Sequence, residues 1–174
     1  VVQVMEDSPA QKAGLRAGEV VALDSYDDRL ATLRENIQRM HLGNIRAIQA
    51  DATRPEDLSR ACGPDLFDRI LLDVPCTNTG VIRRRPDARW RFSGERLKKI
   101  LRTQRALLNA TAPLLKPGGI LVYSTCSLEV EEGEQMVGVW LKENPLFDRR
   151  DASRLFPPDT QTDGIYAASL RKKE

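Results

Sequence analysis

An α/β fold with a mostly parallel sheet, covered by helices on both faces, is the architecture this sequence predicts, and three observations lead to it. Short apolar runs alternate with longer amphipathic segments, the order in which strands and crossover helices build a parallel sheet. Three of those runs end on an aspartate, at Asp24, Asp51 and Asp73. With 174 residues, 41% of them hydrophobic, the chain can bury one core of its own. A single domain over residues 1–174 is therefore expected, with an irregular opening over 1–18.

That opening carries Pro9, Gly14 and Gly18 among short apolar groups, which allows at most a broken helix. A strand over 19–23 then ends at Asp24. Leu30, Leu33, Ile37 and Met40 follow at spacings of three and four, one face of a helix that Gly43-Asn44 stops. Strands are expected over 45–50 and 69–72, each just before its aspartate. The longest periodic stripe runs over 93–115, with Leu97, Ile100, Leu101, Leu107, Leu108 and Leu115 on one face. Ser93 is its N-cap, and Pro117-Gly118-Gly119 its stop. A strand over 120–124 comes next, then a helix over 131–143 with Met136, Val137, Trp140 and Leu141 inward, closed by Asn144-Pro145. The last strand, over 165–170, is antiparallel or at an edge.

Composition narrows the function. No apolar run approaches the roughly 20 residues of a membrane span, so no membrane association is expected. Three cysteines without C-x-x-C spacing argue against a disulfide framework and a metal site, and point to a reducing cytoplasm. The one histidine, His41, sits at a helix end, which disfavours a Ser-His-Asp triad. A net charge of +2 implies no nucleic-acid partner by itself, so local clustering has to carry that argument. No signal peptide is visible, and Val1 in place of Met suggests a processed, truncated or cropped chain.

The residues able to do chemistry gather where the strands end. In open parallel sheets, ligands bind beyond the carboxyl ends of the strands. Asp24 suits both hydroxyls of a ribose, and Asp51 the exocyclic amine of an adenine. Aspartate also recurs at strand ends as a turn former, and that reading stays open for each of them. Cys76 in DVPCTNTG and Cys126 in LVYSTCSLEV each follow an apolar run, which puts two thiols at one rim of a sheet. Turn-forming neighbours at such a rim point to reactivity for these two. Cys62, in SRACGPD, reads instead as a small buried hydrophobe.

The segments VVALDSYDDRLATLRENIQRM, IRAIQADATRPEDL, FDRILLDVPCTNTGVIRRRPDARW and LVYSTCSLEVEEGEQ resemble, in order, the motifs of the S-adenosylmethionine-dependent RNA cytosine-5 methyltransferases. The resemblance is to the bacterial ribosomal RNA enzymes of the Sun/Fmu type, and DGIYAASLRKKE resembles that family's last strand. It implies a Rossmann-like class I methyltransferase fold, S-adenosyl-L-methionine as cofactor, and methyl transfer to carbon 5 of a cytosine in RNA, ribosomal RNA in particular. Carbon 5 is too poor a nucleophile to react until a group has added at carbon 6, and a thiolate both adds and leaves again. The resemblance assigns that attack to Cys126 and assistance of product release by β-elimination to Cys76. Asp73 it assigns to the donor's amino group and the cytosine edge, and Asp24, Asp51 and Asp73 together to the cofactor.

Arg83, Arg84, Arg85, Arg89 and Arg91 surround Trp90 directly after the Cys76 loop, giving charge for phosphates beside a stacking surface. Lys98, Lys99, Arg102 and Arg105 extend it. A duplex cytosine would have to be splayed out to reach Cys126. Two features depart from the family pattern. The glycine-rich run D-x-C-A-A-P-G-G-K-T and its strand are absent, so the first βα unit is expected to be missing and the chain to be a fragment or a degenerate form. Pro-Cys-Ser-Gly-Thr-Gly is replaced by Pro-Cys-Thr-Asn-Thr-Gly, with Asn78 in a glycine position where left-handed backbone angles are needed. Two other readings remain: a catalytically inactive RNA-binding fragment of the same fold, and a methyltransferase for a protein or small molecule.

Overall fold

The structure is a computed structural model that describes residue 18, residues 20–64 and residues 66–174. The rest of the expected irregular opening lies outside the described residues. The chain divides into two compact units, one ending at Pro64 and one comprising the residues beyond it.

In the first unit, β1 (Val20–Asp24) and β2 (Ile45–Gln49) pair in parallel, with Val20 opposite Ile45 and Asp24 opposite Gln49. The connection between them is α1 (Asp27–Arg39), whose first turn holds Asp27 and Asp28 and whose last holds Arg39, charges that complement the helix dipole. Its apolar stripe is only partly used. Leu30 is buried beside the strand residue Ala22, whereas Met40 lies past the helix end and is exposed. A helix not foreseen in the sequence, α2 (Pro55–Cys62), follows β2. Pro55 opens it, Glu56 and Asp57 favour its first turn, Leu58 and Cys62 face inward, and Gly63 ends it at φ +69°. Cys62 is thus the small buried hydrophobe expected of it, and burial raises its thiol pKa.

The second unit is a four-stranded sheet in the order β3-β4-β6-β5, formed by β3 (Phe67–Asp73), β4 (Leu115–Thr125), β5 (Phe147–Leu155) and β6 (Ile165–Lys172). β3 and β4 are parallel, and β6 runs antiparallel to both of its neighbours. The crossover from β3 to β4 includes two helices, α3 (Ala88–Arg91) and α4 (Gly94–Thr111), and α5 (Glu134–Glu143) follows β4. Ser93 caps α4 as expected, its hydroxyl accepting from the Arg96 amide at 3.1 Å. The inward face of α4 is Gln104, Leu107, Leu108, Ala110 and Thr111; Leu97, Ile100 and Leu101 are only half-buried. Alternate residues Leu121, Tyr123 and Thr125 of β4 are buried, and Leu108, Val137, Trp140 and Leu170 complete the core.

Two expectations for this unit change. Leu115 begins β4 rather than ending a helix. Pro117-Gly118-Gly119 lies inside that strand, where the pairing jumps from Phe67 opposite Leu115 to Arg69 opposite Ile120. Gly118 takes φ +73°, and a side chain at Gly119 would meet Leu115 Cγ at 2.8 Å, so both glycines are needed at the irregularity. The last strand is antiparallel but interior. The edge belongs to β5, whose sequence shows no apolar alternation because almost all of it is exposed. A short helix, α6 (Pro157–Thr160), joins β5 to β6.

Candidate active site

Beyond the ends of β1 and β2, the first unit holds an open cleft of about 390 Å³ whose lining includes Ser25, Gln49, Ala50, Asp51, Asp57 and Arg60. The ladder carries on to this rim, since the Ala50 amide donates to the Asp24 carbonyl at 3.1 Å. Asp24 and Asp51 therefore come together at one end of a parallel strand pair. Each also serves its own turn. Asp24 accepts from the Tyr26 amide at 2.9 Å and faces Arg29 at 3.5 Å. Asp51 accepts from the Thr53 hydroxyl at 2.7 Å and the Thr53 amide at 2.9 Å, and these bonds, the hydroxyl first, hold its pKa below the ordinary carboxylate value. The turn-forming and ligand-facing readings coexist, because each carboxylate keeps an unused lone-pair direction in the open.

The second unit brings the two thiols together. β3 ends at Asp73, whose carboxylate accepts from the Ser124 hydroxyl at 3.0 Å, and Val74 extends the ladder by donating to the Ser124 carbonyl. The next turn places Cys76 Sγ 3.2 Å from Cys126 Sγ, with Cys126 Sγ 3.2 Å and Cys76 Sγ 3.7 Å from Asn78 Oδ1. Asn78 sits at φ +63°, the left-handed conformation expected of it. A short turn over Thr79–Val81 follows. Within it, Gly80 donates its amide to the Cys126 carbonyl at 3.0 Å and accepts from Gly164 at 2.8 Å. A Cβ on Gly80 would lie 2.3 Å from the Gly164 carbonyl oxygen, so only glycine fits.

The thiols are not equivalent. Cys76 is 7% exposed, whereas Cys126 is half-buried and lines a cleft of about 400 Å³ with Asn78, Val81, Arg84 and Arg85. The hydrogen bond between the two sulfurs lowers the Cys76 pKa to about 7 and pushes that of Cys126 up. Burial and the nearby charge of Asp73 push Cys126 further in the same direction. The pair therefore gives up its first proton around neutral pH, below an ordinary thiol, and holds the second more tightly.

A buried network behind the thiols has no counterpart in the sequence reading. Glu132, fully buried, accepts from the Thr77 amide at 3.1 Å, from the Thr77 hydroxyl, from the Ser127 hydroxyl at 2.7 Å and from Gln104 Nε2 at 2.9 Å. Gln104 Nε2 also donates to the Pro75 carbonyl at 2.9 Å, and the Tyr123 hydroxyl donates to the Glu132 carbonyl at 2.7 Å. Burial and the charges of Glu132 and Cys76 raise the Tyr123 pKa. Glu132 is concealed in the run LEVEEGEQ, among three other glutamates. Gln104 carried a signal, because it falls at helical spacing inside the apolar stripe of α4.

The arginines divide by partner. Arg83 donates to the Gln161 carbonyl at 3.1 Å, Arg84 pairs with Asp163, and Arg91 pairs with Asp87 at 3.0 Å. Arg85 and Arg89 have no side-chain partner among the described residues, and Trp90 between them and Phe92 is 82% exposed. Lys98, Lys99 and Arg102 are exposed on α4, and Arg105 pairs with Glu143. No helix among the described residues is long and apolar enough to cross a membrane, and none of their His, Cys, Asp and Glu side chains form a group of three or more suited to a metal.

NSun6 from Pyrococcus horikoshii, solved with SFG, matches 90% of this chain at 32% identity and a TM-score of 0.78, over 42% of its own length. A methyltransferase homolog protein from the same organism matches 89% at 30% identity and a TM-score of 0.75, over 53% of its length. These neighbours bear out the class I methyltransferase fold. Ribosomal RNA small subunit methyltransferase B of Yersinia pseudotuberculosis is 35% identical over 161 residues, 88% of this chain. The chain spans about 37% of that curated relative's length. The family described as 16S rRNA methyltransferase RsmB/F matches residues 12–171, through both units, and the chain belongs to that family.

Proposed function

We propose that this chain carries the catalytic domain, over residues 1–174, of an enzyme that methylates carbon 5 of a cytosine in ribosomal RNA through a covalent adduct on Cys126. The observation that carries the reading is the 3.2 Å contact between two thiols of unequal exposure at the rim of a sheet. The relative named for ribosomal RNA small subunit methylation and the neighbour solved with SFG support the substrate class and the donor.

The residues present fit S-adenosylmethionine in part. Asp24 and Asp51 offer acceptors at one strand rim, suited to the ribose hydroxyls and the adenine amine, and family resemblance gives Asp73 the donor's amino group. When bound, that cofactor supplies a methyl group on a positively charged sulfur. The chain's own residues do the rest. Cys126 passes its proton across the contact to the Cys76 thiolate, and its own sulfur then bonds to carbon 6 of the cytosine. The ring's π electrons move toward carbon 5 and make it nucleophilic. Cys76 returns the first proton to solvent. After methylation it takes the hydrogen of carbon 5 as a proton, the ring double bond re-forms, and the bond from carbon 6 to Cys126 breaks. Arg85 and Arg89 hold flanking phosphates, and Trp90 stacks a base.

Incubation with RNA containing 5-azacytidine and S-adenosylmethionine tests this reading. A covalent adduct is expected and should disappear in Cys126→Ser; an adduct that survives that substitution overturns it. On ordinary RNA, Cys76→Ala should form the adduct more slowly, the first proton then leaving to solvent, and accumulate it because release is blocked. Equal behaviour of Cys76→Ala and Cys126→Ala would refute the division of roles.

A further inference from the structure

We infer that Glu132 is the positioning residue for the thiol pair, a buried carboxylate that ties the residue after Cys76 to the residue after Cys126 and so sets the distance between the two sulfurs. The inference rests on reading Cys76 and Cys126 as the reacting pair. Thr77 and Ser127, the residues in question, come from two loops far apart in sequence, yet both hydroxyls donate to the same oxygen, Glu132 Oε1, and to reach each other they need only 3.1 Å. The second oxygen accepts from Gln104, which secures the Pro75 carbonyl on the other side of Cys76.

A fully buried carboxylate is costly unless every oxygen is hydrogen-bonded, and an apolar core would avoid the cost. Here every group bonded to the carboxylate is a donor, two of them on the residue after Cys76 and one on the residue after Cys126. An amide in its place would meet a donor on the Gln104 side unless it turned its N–H to the Thr77 and Ser127 hydroxyls, which would then have to accept rather than donate. In the first orientation glutamine would turn an N–H toward Gln104 Nε2, donor against donor, and a flipped Gln104 would turn its oxygen toward the Pro75 carbonyl.

The carboxylate also acts on the thiol electrostatically, and in the opposite sense to its positioning role. Its negative charge raises the Cys76 pKa, whereas the contact it maintains with Cys126 lowers it. The other groups facing the pair are Tyr123 on β4, Asp73 at the end of β3, and Arg84 and Arg85 across the cleft from Cys126. The two effects of Glu132 therefore separate by the direction of one titration.

Thiolate absorbance followed against pH on the protein alone should show an inflection near pH 7 for the wild type. In Glu132→Gln the inflection should rise by about one unit toward an ordinary thiol near 8.5, because the sulfurs part. A fall, or no movement, would mean that only the charge matters and overturns the proposal. Glu131→Gln, an adjacent charge outside the network, should leave the inflection in place. If Glu132→Gln does not fold, Ser127→Ala keeps the carboxylate and cuts the tie on the Cys126 side, together with the hydroxyl's contacts to Thr77, Thr79 and the Glu129 amide; an unmoved inflection there overturns the proposal equally. Because neither RNA nor methyl donor is present, a failure of the proposed reaction is read separately, from the adduct assay.

Discussion

Asp51 in the first unit and Glu132 in the second make the same local pattern, each accepting from the amide and the hydroxyl of one threonine. Their surroundings differ. Asp51 leaves 44% of its side chain exposed beside an open cleft, and its bonds reach only two residues along the chain. Glu132 is fully buried, and its bonds join segments 28 and 55 residues away. A carboxylate that must receive a ligand has to keep a free oxygen direction, and solvent supports it meanwhile. One that fixes two reacting sulfurs has to spend all its acceptors on protein, where low polarity makes each bond count for more.

The sharpest way to break this contrast is at glycine. Gly80→Ala would put a methyl group 2.3 Å from the Gly164 oxygen and 2.7 Å from the Cys126 oxygen, both main-chain atoms that cannot swing aside. Thermal unfolding should show a loss of about 1–3 kcal/mol, the usual cost of overpacking, with the low thiol inflection lost as well. Gly43→Ala, in the first unit, meets nothing within 4 Å and should change stability by no more than about 0.5 kcal/mol. Equal effects would mean that the thiol loop is no more tightly built than an exposed turn.

Next in size are the cleft carboxylates. Asp24→Asn and Asp51→Asn each replace a charged acceptor by a neutral one, so calorimetry should show donor affinity about tenfold weaker, roughly 1.4 kcal/mol. Stability should stay within about 0.5 kcal/mol of wild type, since both side chains are partly exposed. A large loss of stability instead would make them structural turn formers, and the two units would then be alike. Trp90→Ala should leave folding untouched for the same reason, while RNA affinity falls by about 1 kcal/mol from the lost stacking.

The same contrast explains what the sequence disclosed. Strands that alternate with helices, and the residues just past their ends, are local patterns, so β1 to β4, Ser93, the aspartates and both cysteines could be read directly. What stayed hidden depends on distant partners. The helix Pro55–Cys62 is short, with only Pro55 and Gly63 to mark its ends. The strand Phe147–Leu155 carries no apolar alternation because it is an exposed edge held by main-chain bonds to the last strand. Glu132 shares a run with Glu129, Glu131 and Glu134, and only the way the second unit folds around it turns this one inward. The contacts of Arg83 with Gln161 and of Arg84 with Asp163 join segments 78 and 79 residues apart, which no local pattern discloses.

The smallest effects concern pH, and they should run in different ranges for the two units. Cys76 has its pKa lowered from 9.0 to about 7, so its folded form holds the proton less tightly than the unfolded chain does. That contributes stability which is complete above the unfolded value, near 9, and lost as the pH falls through about 7. Cys126, raised, acts in reverse and removes stability once the unfolded thiol ionises. Wild type should therefore gain on Cys76→Ser between about pH 7 and pH 9, as measured by denaturant unfolding, and stop gaining above that. Asp51 also has a lowered pKa, so its contribution is present above 3.8 and fades as the pH falls below it. Comparison with Asp51→Asn in acid should show a smaller difference, because water screens an exposed carboxylate. Should the aspartate show the larger pH effect, the distinction between a ligand-facing carboxylate held by its own turn and a sulfur pair held by the fold would fail.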